Sequence, residues 1–390
     1  MMPAPPRLNQ TNQPSRPSPS HPLAFNLSTG ADTGGAAIRQ IEAFDSPDPE
    51  VQAIRAQHGN WEVRAMVAAD NYIAYPQDVP HSLARLESLY DSADVIHLNH
   101  TLHGHTWYDK NRHKPTILEH HGLHKGAFDI DFQGSIKAAT AIGAIQIGST
   151  ANHELFGPIT WAPIPYDLEA LARLRQEVLA RAAATKRPSA AHTHADGVLT
   201  IAHAPTNRAI KSTAAFIAAL ERMIDIGLPV RMLLIENRSH VDCLRLKATA
   251  DIFVDQLQLG YGCNAIEAWG MGLPVVGGIA DPTWHKHMQS RWGSMPLFEA
   301  TDQTLARKLT ALVLNPSLRE EYAALGRAHV ERWHTQAYHV ALMSDIYASA
   351  KPTIDHPYIV PSHLTHAERL AILRANRAEL KRQRDAAHPA

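Results

Sequence analysis

From Leu23 onward, short apolar runs alternate with longer stretches of helical period. LAFNLST (23–29), EVRAMVA (62–68), ADVIHLN (93–99), PTILEHH (115–121) and AIQIGST (144–150) are compact, rich in Val, Ile and Leu, and followed by polar turns. Such runs predict buried strands. AAIRQIEAF follows the first of them, after a turn at Gly34-Gly35, and predicts a helix. The second half repeats the theme, with GVLTIAHAP, VRMLLIE, DIFVDQL and PVVGGI as strands and IKSTAAFIAALERMIDIG as an amphipathic helix. Strands separated by helices imply a parallel sheet covered on both faces.

Between the halves, DLEALARLRQEVLARAAATKRPSAAHTHADG reads as a helix running into a Lys, Pro, Ser and His-rich joint. The expected organisation is therefore a leader (1–22), a first Rossmann-like domain (23–167) and a linker helix with the joint (168–197). A second Rossmann-like domain (198–350) and a tail (351–390) follow. The leader is Pro, Ser, Asn and Gln with almost nothing apolar, so it cannot offset its ordering entropy and is expected to be disordered. The class is α/β: two doubly wound domains face each other across a cleft at the carboxyl ends of their strands, the default ligand site.

At 390 residues the chain is too long for one small module, and 45% hydrophobic with 19% charged residues supplies ample core. Lys plus Arg (37) nearly balances Asp plus Glu (38), for a net charge of -1. That excludes a whole-chain basic field of the kind that drives non-specific nucleic-acid binding. Two cysteines, Cys243 and Cys263, cannot build a disulfide framework or a cysteine zinc site and fit a reducing cytoplasm. No apolar run approaches a membrane span, and the first residues lack the apolar core of a signal peptide.

Candidate chemistry gathers in the second half. Arg208 and Lys211 sit three apart at the start of an expected helix, after the Pro205-Thr206-Asn207 turn, so both fall on one face near its positive end. Gly260-Tyr261-Gly262 follows a strand and precedes a helix bearing Asn264 and Glu267. Glycines there let a backbone approach a phosphate and leave N–H groups to bind it. Glu267, one turn into the helix, is expected to face the cleft, where a carboxylate accepts from two neighbouring hydroxyls. In the first half Gly34 and Gly35 permit close approach, while His97, His100, His120 and His121 lie at or near strand ends. With 25 histidines in the chain, any single one is more often structural than catalytic.

Other chemistries compete less well. His103 and His105, with His97, His100 and His124, suggest zinc by composition but lack ligand spacing. Asp129-Ile130-Asp131 has the D-x-D form of a cation site, and reads as a loop or helix cap instead. No G-x-S-x-G, P-loop lysine or cysteine pair is present, which removes hydrolase, NTPase and redox readings. In the tail, Thr365 and Glu368 form a capping box. Leu370, Leu373 and Leu380 with Arg374, Arg377, Lys381, Arg382 and Arg384 make a basic amphipathic helix over 365–384. It suits either a docked, solvated helix or contact with an anionic surface.

The stretch Ile201–Ile279 resembles the donor-binding domain of family 4 glycosyltransferases (GT4), which have the GT-B fold. HAPTNRAIKST, ADIFVDQL and LGYGCNAIEAWGMGLPVVGG carry the likeness. TGADTGGAAIR, ADVIHLNH, TILEHHG, AIQIGSTANHE and ITWAPIPYD extend it more loosely, so that it covers about residues 25–345. The resemblance implies a metal-independent, retaining hexosyltransferase with no cofactor beyond its co-substrate, a UDP-, GDP-, ADP- or TDP-linked sugar. The first domain would serve the acceptor and the second the donor. Arg208, Lys211 and His121 would be catalytic, with the two cations on the diphosphate. Glu267 would take the ribose, and Asn264, Gly262, Tyr261, Gly260, Leu259 and Asn207 would line the donor. Gly34, Gly35, His97 and His100 would form the acceptor or phosphate loop. The family usually has a second glutamate eight positions before the ribose glutamate, where this chain has Leu259, which bears on the sugar accepted. A glycan, lipid-linked, protein or modified-base acceptor fits, in the cytoplasm or at the membrane periphery through the 365–384 helix. The alternative is a catalytically degenerate GT-B protein that binds a nucleotide or glycan without turnover.

Overall fold

A computed structural model describes residues 23–29, 39–68, 88, 91–99, 113–121, 132–184 and 197–353. The first sheet contains β1 (Leu23–Thr29), β2 (Glu62–Ala68), β3 (Val95–Asn99), β4 (Thr116–His120), β5 (Ile145–Gly148) and β6 (Ile159–Trp161). All pairings are parallel, in the order β2-β1-β3-β4-β5-β6. The windows 23–29 and 62–68 are strands from end to end, whereas β6 is too short for its period to show in sequence. β3 and β4 are buried at every position, which is why VIHLN and TILEH run on without alternation. Their polar members, His97, Asn99, Thr116, Glu119 and His120, are therefore interior groups that need partners.

The second sheet contains β7 (Leu199–His203), β8 (Val230–Leu234), β9 (Ile252–Val254), β10 (Leu259–Gly260), β11 (Val275–Ile279) and β12 (Phe298–Glu299). Its order is β10-β11-β9-β7-β8, with β12 also on β11 and only β10 antiparallel. The two sheets share no strand. Strand order reverses at β1/β3 in one and at β7/β9 in the other. At such points successive loops leave in opposite directions and open a crevice at the strands' carboxyl ends.

The helices are α1 (Pro49–His58), α2 (Phe132–Ile142), α3 (Leu168–Ala184), α4 (Thr213–Asp225), α5 (His240–Lys247), α6 (Cys263–Gly270), α7 (Pro282–Trp292), α8 (Leu305–Leu314), α9 (Pro316–Trp333) and α10 (Gln336–Ser349); residues 39–44 are also helical. α3, expected as a linker, lies on the second domain: Leu168 and Leu171 face Gly270, and Arg175 Nη1 donates to the Ala250 carbonyl (2.9 Å). α10 goes the other way. Val340, Met343, Ile346 and Tyr347 share one core with Phe44, Trp61, Val95 and Ile117. The segment 198–350, expected as one domain, thus sends its last helix back to the first, because an apolar helix face does not specify which sheet it covers. The two crossings run side by side, with Tyr166 bridged to Thr335 and the Tyr166 N–H donating to the His334 carbonyl (2.9 Å).

α6 and α9 approach closely because position 326 is glycine. A Cβ there would lie 1.9 Å from Cδ1 of the fully buried Trp269 indole. Alanine would gain roughly 1 kcal/mol of helix propensity, but overpacking a rigid ring costs about 1–3 kcal/mol. Gly326→Ala should therefore lower the urea midpoint, and an equal or higher midpoint would contradict this packing.

Candidate active site

The β7/β9 reversal brings two loops together. After β7, Asn207 closes a turn by accepting the Ala209 and Ile210 N–H groups on Oδ1 (3.0 and 3.1 Å). Arg208 and Lys211 lie in this turn, ahead of α4, rather than on its first helical face. They consequently diverge. Arg208 points outward, its side chain 61% exposed, and forks onto Glu236 (2.7 and 2.6 Å). Lys211 turns inward to Asp255, just past β9, with Nζ 2.8 Å from Oδ1. The other Asp255 oxygen accepts the Gly262 N–H (2.8 Å), so this N–H, expected to be open to a phosphate, is already engaged. Gly260, at φ +82°, makes the left-handed turn that a side chain would strain. Leu259 is half-buried beside it, in β10.

Glu267 stands one turn into α6 and is buried. Oε2 is 2.5 Å from Nζ of Lys247, itself fully buried at the end of α5, and Oε1 is 2.9 Å from Nε2 of His240 at its start. Burial would raise this carboxyl's pKa; Lys247 and His240 outweigh it and hold the group at about 2. Lys247 also donates to Asn264 Oδ1 (2.8 Å), whose Nδ2 donates to the Ala204 carbonyl (2.9 Å). Glu267 therefore already has a partner on each oxygen. The inner one is locked, while His240, 60% exposed, is on the solvent side and can give way to a ligand hydroxyl. Asp255 and Lys247 were missed in the sequence: one ends an apolar strand, and the other belongs to the mostly polar helix HVDCLRLK.

Tyr261 turns away from this wall into an aromatic core with Trp269 and Trp292. His334 Nδ1 donates to the Ile164 carbonyl (2.8 Å), so its Nε2 accepts from the Tyr261 hydroxyl (3.0 Å), which in turn accepts from His329 Nε2 (3.0 Å). Tyr261, expected at the donor, instead ties the glycine loop to both domain crossings.

In the first domain, Glu119 is fully buried at the carboxyl end of β4. Oε2 accepts from Gln40 (2.8 Å) and lies 3.0 Å from His97 Nε2, and Oε1 lies 3.4 Å from His121 Nε2. Burial would raise its pKa, yet His121, His97 and Gln40 together keep it well below the carboxylate range. His121 Nε2 also meets Asn99 Oδ1 (2.6 Å); facing two acceptors, this nitrogen carries the proton. Burial lowers the pKa of His121 and leaves it neutral near pH 7. His97 Nδ1 receives the Tyr347 hydroxyl (3.2 Å), which ties α10 to the cluster, and His120 pairs with Gln146 (3.0 Å). Glu119, within an apolar strand, was not singled out in the sequence. Gly34, Gly35, His100, His103, His105, His124, Asp129, Asp131 and the 365–384 segment lie outside the described residues. Among the described residues no group of three His, Cys, Asp or Glu side chains could hold a metal ion, and no helix is long and apolar enough to cross a membrane.

No protein-family model matches the sequence, and a search of curated proteins finds no match. Solved structures do match. Anabaena HepE in complex with UDP superposes with a TM-score of 0.53 at 13% identity, over 84% of this chain and 100% of that one. Its complex with UDP-glucose gives 0.52 at 13% identity, with the same coverage. Sucrose-phosphate synthase from Thermosynechococcus elongatus gives 0.51 at 13% identity, over 84% and 98% of the two chains. With the two parallel-sheet domains, these likenesses establish the GT-B fold.

Burial pushes three histidines at the domain crossings toward the neutral form: His334 and His339 to about 4, and His329 well below its usual value. The unfolded chain titrates them near 6.5. Below that pH it binds protons that the native state refuses, so stability is full above about 6.5 and falls as the pH drops toward 4. At about 1.4 kcal/mol per pKa unit, His334 and His339 each account for roughly 3 kcal/mol across this window. The urea midpoint should drop steeply from pH 6.5 to 4.5, and His334→Gln should flatten the slope. A midpoint unchanged over this range would contradict the neutral assignment.

Proposed function

We propose that the protein transfers a sugar from a nucleoside diphosphate sugar to an acceptor hydroxyl, with retention of anomeric configuration and without a metal. The reading is carried by one observation: Lys211, the start of α6 and the carboxylate of Glu267 converge at the β7/β9 reversal, on one wall. A nucleotide laid along this wall would set its diphosphate against Lys211 and the α6 N-terminus. Its ribose hydroxyls would reach Glu267 Oε1, displacing His240. Arg208, exposed and held by Glu236, would join only by leaving that partner. On the opposite domain, His121 would meet the sugar or the acceptor as a neutral imidazole aligned by Asn99 and Glu119. The departing phosphate would take the acceptor's proton on the face it leaves, so no side-chain nucleophile is required.

A second reading, nucleotide or glycan binding without turnover, draws support from Leu259, which offers no hydrogen bond at the sugar end.

Glu267→Ala would strand buried Lys247 without a counter-charge, at a cost of about 3–5 kcal/mol. Glu267→Gln also removes the charge but keeps the shape and an acceptor for Lys247, so it is the milder and more informative variant. Titration of UDP, GDP, ADP and TDP should identify at least one that binds the wild type. Glu267→Gln should weaken it about tenfold, since a hydrogen bond to a charged group is worth roughly 1.5–3 kcal/mol. EDTA should leave transfer intact. Absence of binding by all four would sink both readings as far as nucleotides go, and binding without transfer to any acceptor would favour the second.

A further inference from the structure

Among the described residues, the cations around the start of α6 each have a carboxylate partner with one exception. Lys211 pairs with Asp255, Lys247 with Glu267 and Arg208 with Glu236. Arg39 is left over. It comes from the opposite domain, at the head of the helical stretch 39–44, next to the Gln40 that holds Glu119. Its Nη2 is 3.7 Å from Cys263 Sγ, its guanidinium sits 4.7 Å over the Tyr166 ring, and its buried Nε has no hydrogen-bond partner. Among the described residues no carboxylate is within ion-pair distance of it. A guanidinium cannot shed its charge and has five N–H groups to satisfy, while a thiol and a ring face offer little.

What lies beside it suits an anion. Within α6 the Ala265 and Ile266 N–H groups both donate to the Gly262 carbonyl, leaving those of Cys263 and Asn264 without an intrahelical partner at the helix's positive end. Lys211 shares this corner, its Nζ only 3.4 Å from where a Gly262 Cβ would stand.

We propose that Arg39 is an anion-binding residue that reaches across from the first domain and takes the oxygens of a diphosphate seated between Lys211 and the first N–H groups of α6. The proposal builds on the nucleotide-sugar reading and deepens it, because the donor's diphosphate is then gripped by both domains. Tyr166, on the crossing itself, supports the guanidinium from behind. The fork and the stacked face together make the site specific for arginine.

The test is calorimetric titration of inorganic pyrophosphate, of the four nucleoside diphosphates and of their nucleosides into the full chain, its Arg39→Gln variant and its Arg39→Lys variant. Pyrophosphate and one nucleoside diphosphate should bind the wild type. Arg39→Gln should weaken both at least about tenfold, and Arg39→Lys several-fold, by loss of bidentate charge-assisted bonds. Nucleoside binding should not change. A folded Arg39→Gln protein with wild-type pyrophosphate affinity overturns the proposal, as does a wild type that binds no pyrophosphate. If the Gln variant does not fold, Arg39→Lys decides alone: a several-fold loss supports the proposal and wild-type affinity overturns it. Arg39-dependent pyrophosphate binding with no nucleoside diphosphate bound leaves the anion site standing and removes the transferase reading.

Discussion

The buried pair of Lys247 and Glu267 is the interaction on which the candidate site depends. Taking two ions out of water costs several kcal/mol each, and only complete partnering recovers it. Both carboxylate oxygens are engaged, and Lys247 hands a further bond to Asn264, which reaches the strand-end carbonyl of Ala204. α5, α6 and the exit of β7 are thereby held as one unit. Asp255 repeats the device, fastening the loop after β7 to the glycine turn before α6. Polar networks of this kind are rigid when satisfied, and rigidity is what a wall aligning a flexible ligand, as proposed, would need.

A site shared by the two sheets, as proposed, would need them to be registered with each other. Two crossings do this, and they pair at Tyr166 and Thr335. His334 sits at this point with its carbonyl on Tyr166, its Nδ1 on Ile164 and its Nε2 on Tyr261. The glycine turn of the second domain is thus bonded directly to the joint. From the other side Tyr347 of α10 reaches His97, and through it Glu119 and His121. Each half of the candidate site is connected to a crossing by a short chain of histidines and tyrosines: Tyr261 and His334 on one side, Tyr347 and His97 on the other.

Local pattern was enough to determine the class of fold. Compact apolar windows bounded by polar turns stand out in the sequence, so β1, β2, β7 and β11 could be read almost to the residue, and with them the two doubly wound sheets. Glu267 was legible as well, since its distance from the glycine turn puts it one turn into α6 whatever surrounds it. Only the tertiary structure decided what these residues touch. Asp255 and Glu119 end apolar strands and differ in no local way from other strand ends. Lys247 lies in a polar helix and looks solvated, yet is fully buried. Tyr261 belongs to a loop of phosphate-binding form and faces the core instead, while α10 crosses to the first domain. Hydrophobic period reports the backbone state and the buried face of a segment. It carries no information about the partner across that face, and the ion pairs here join residues 20 and 44 positions apart.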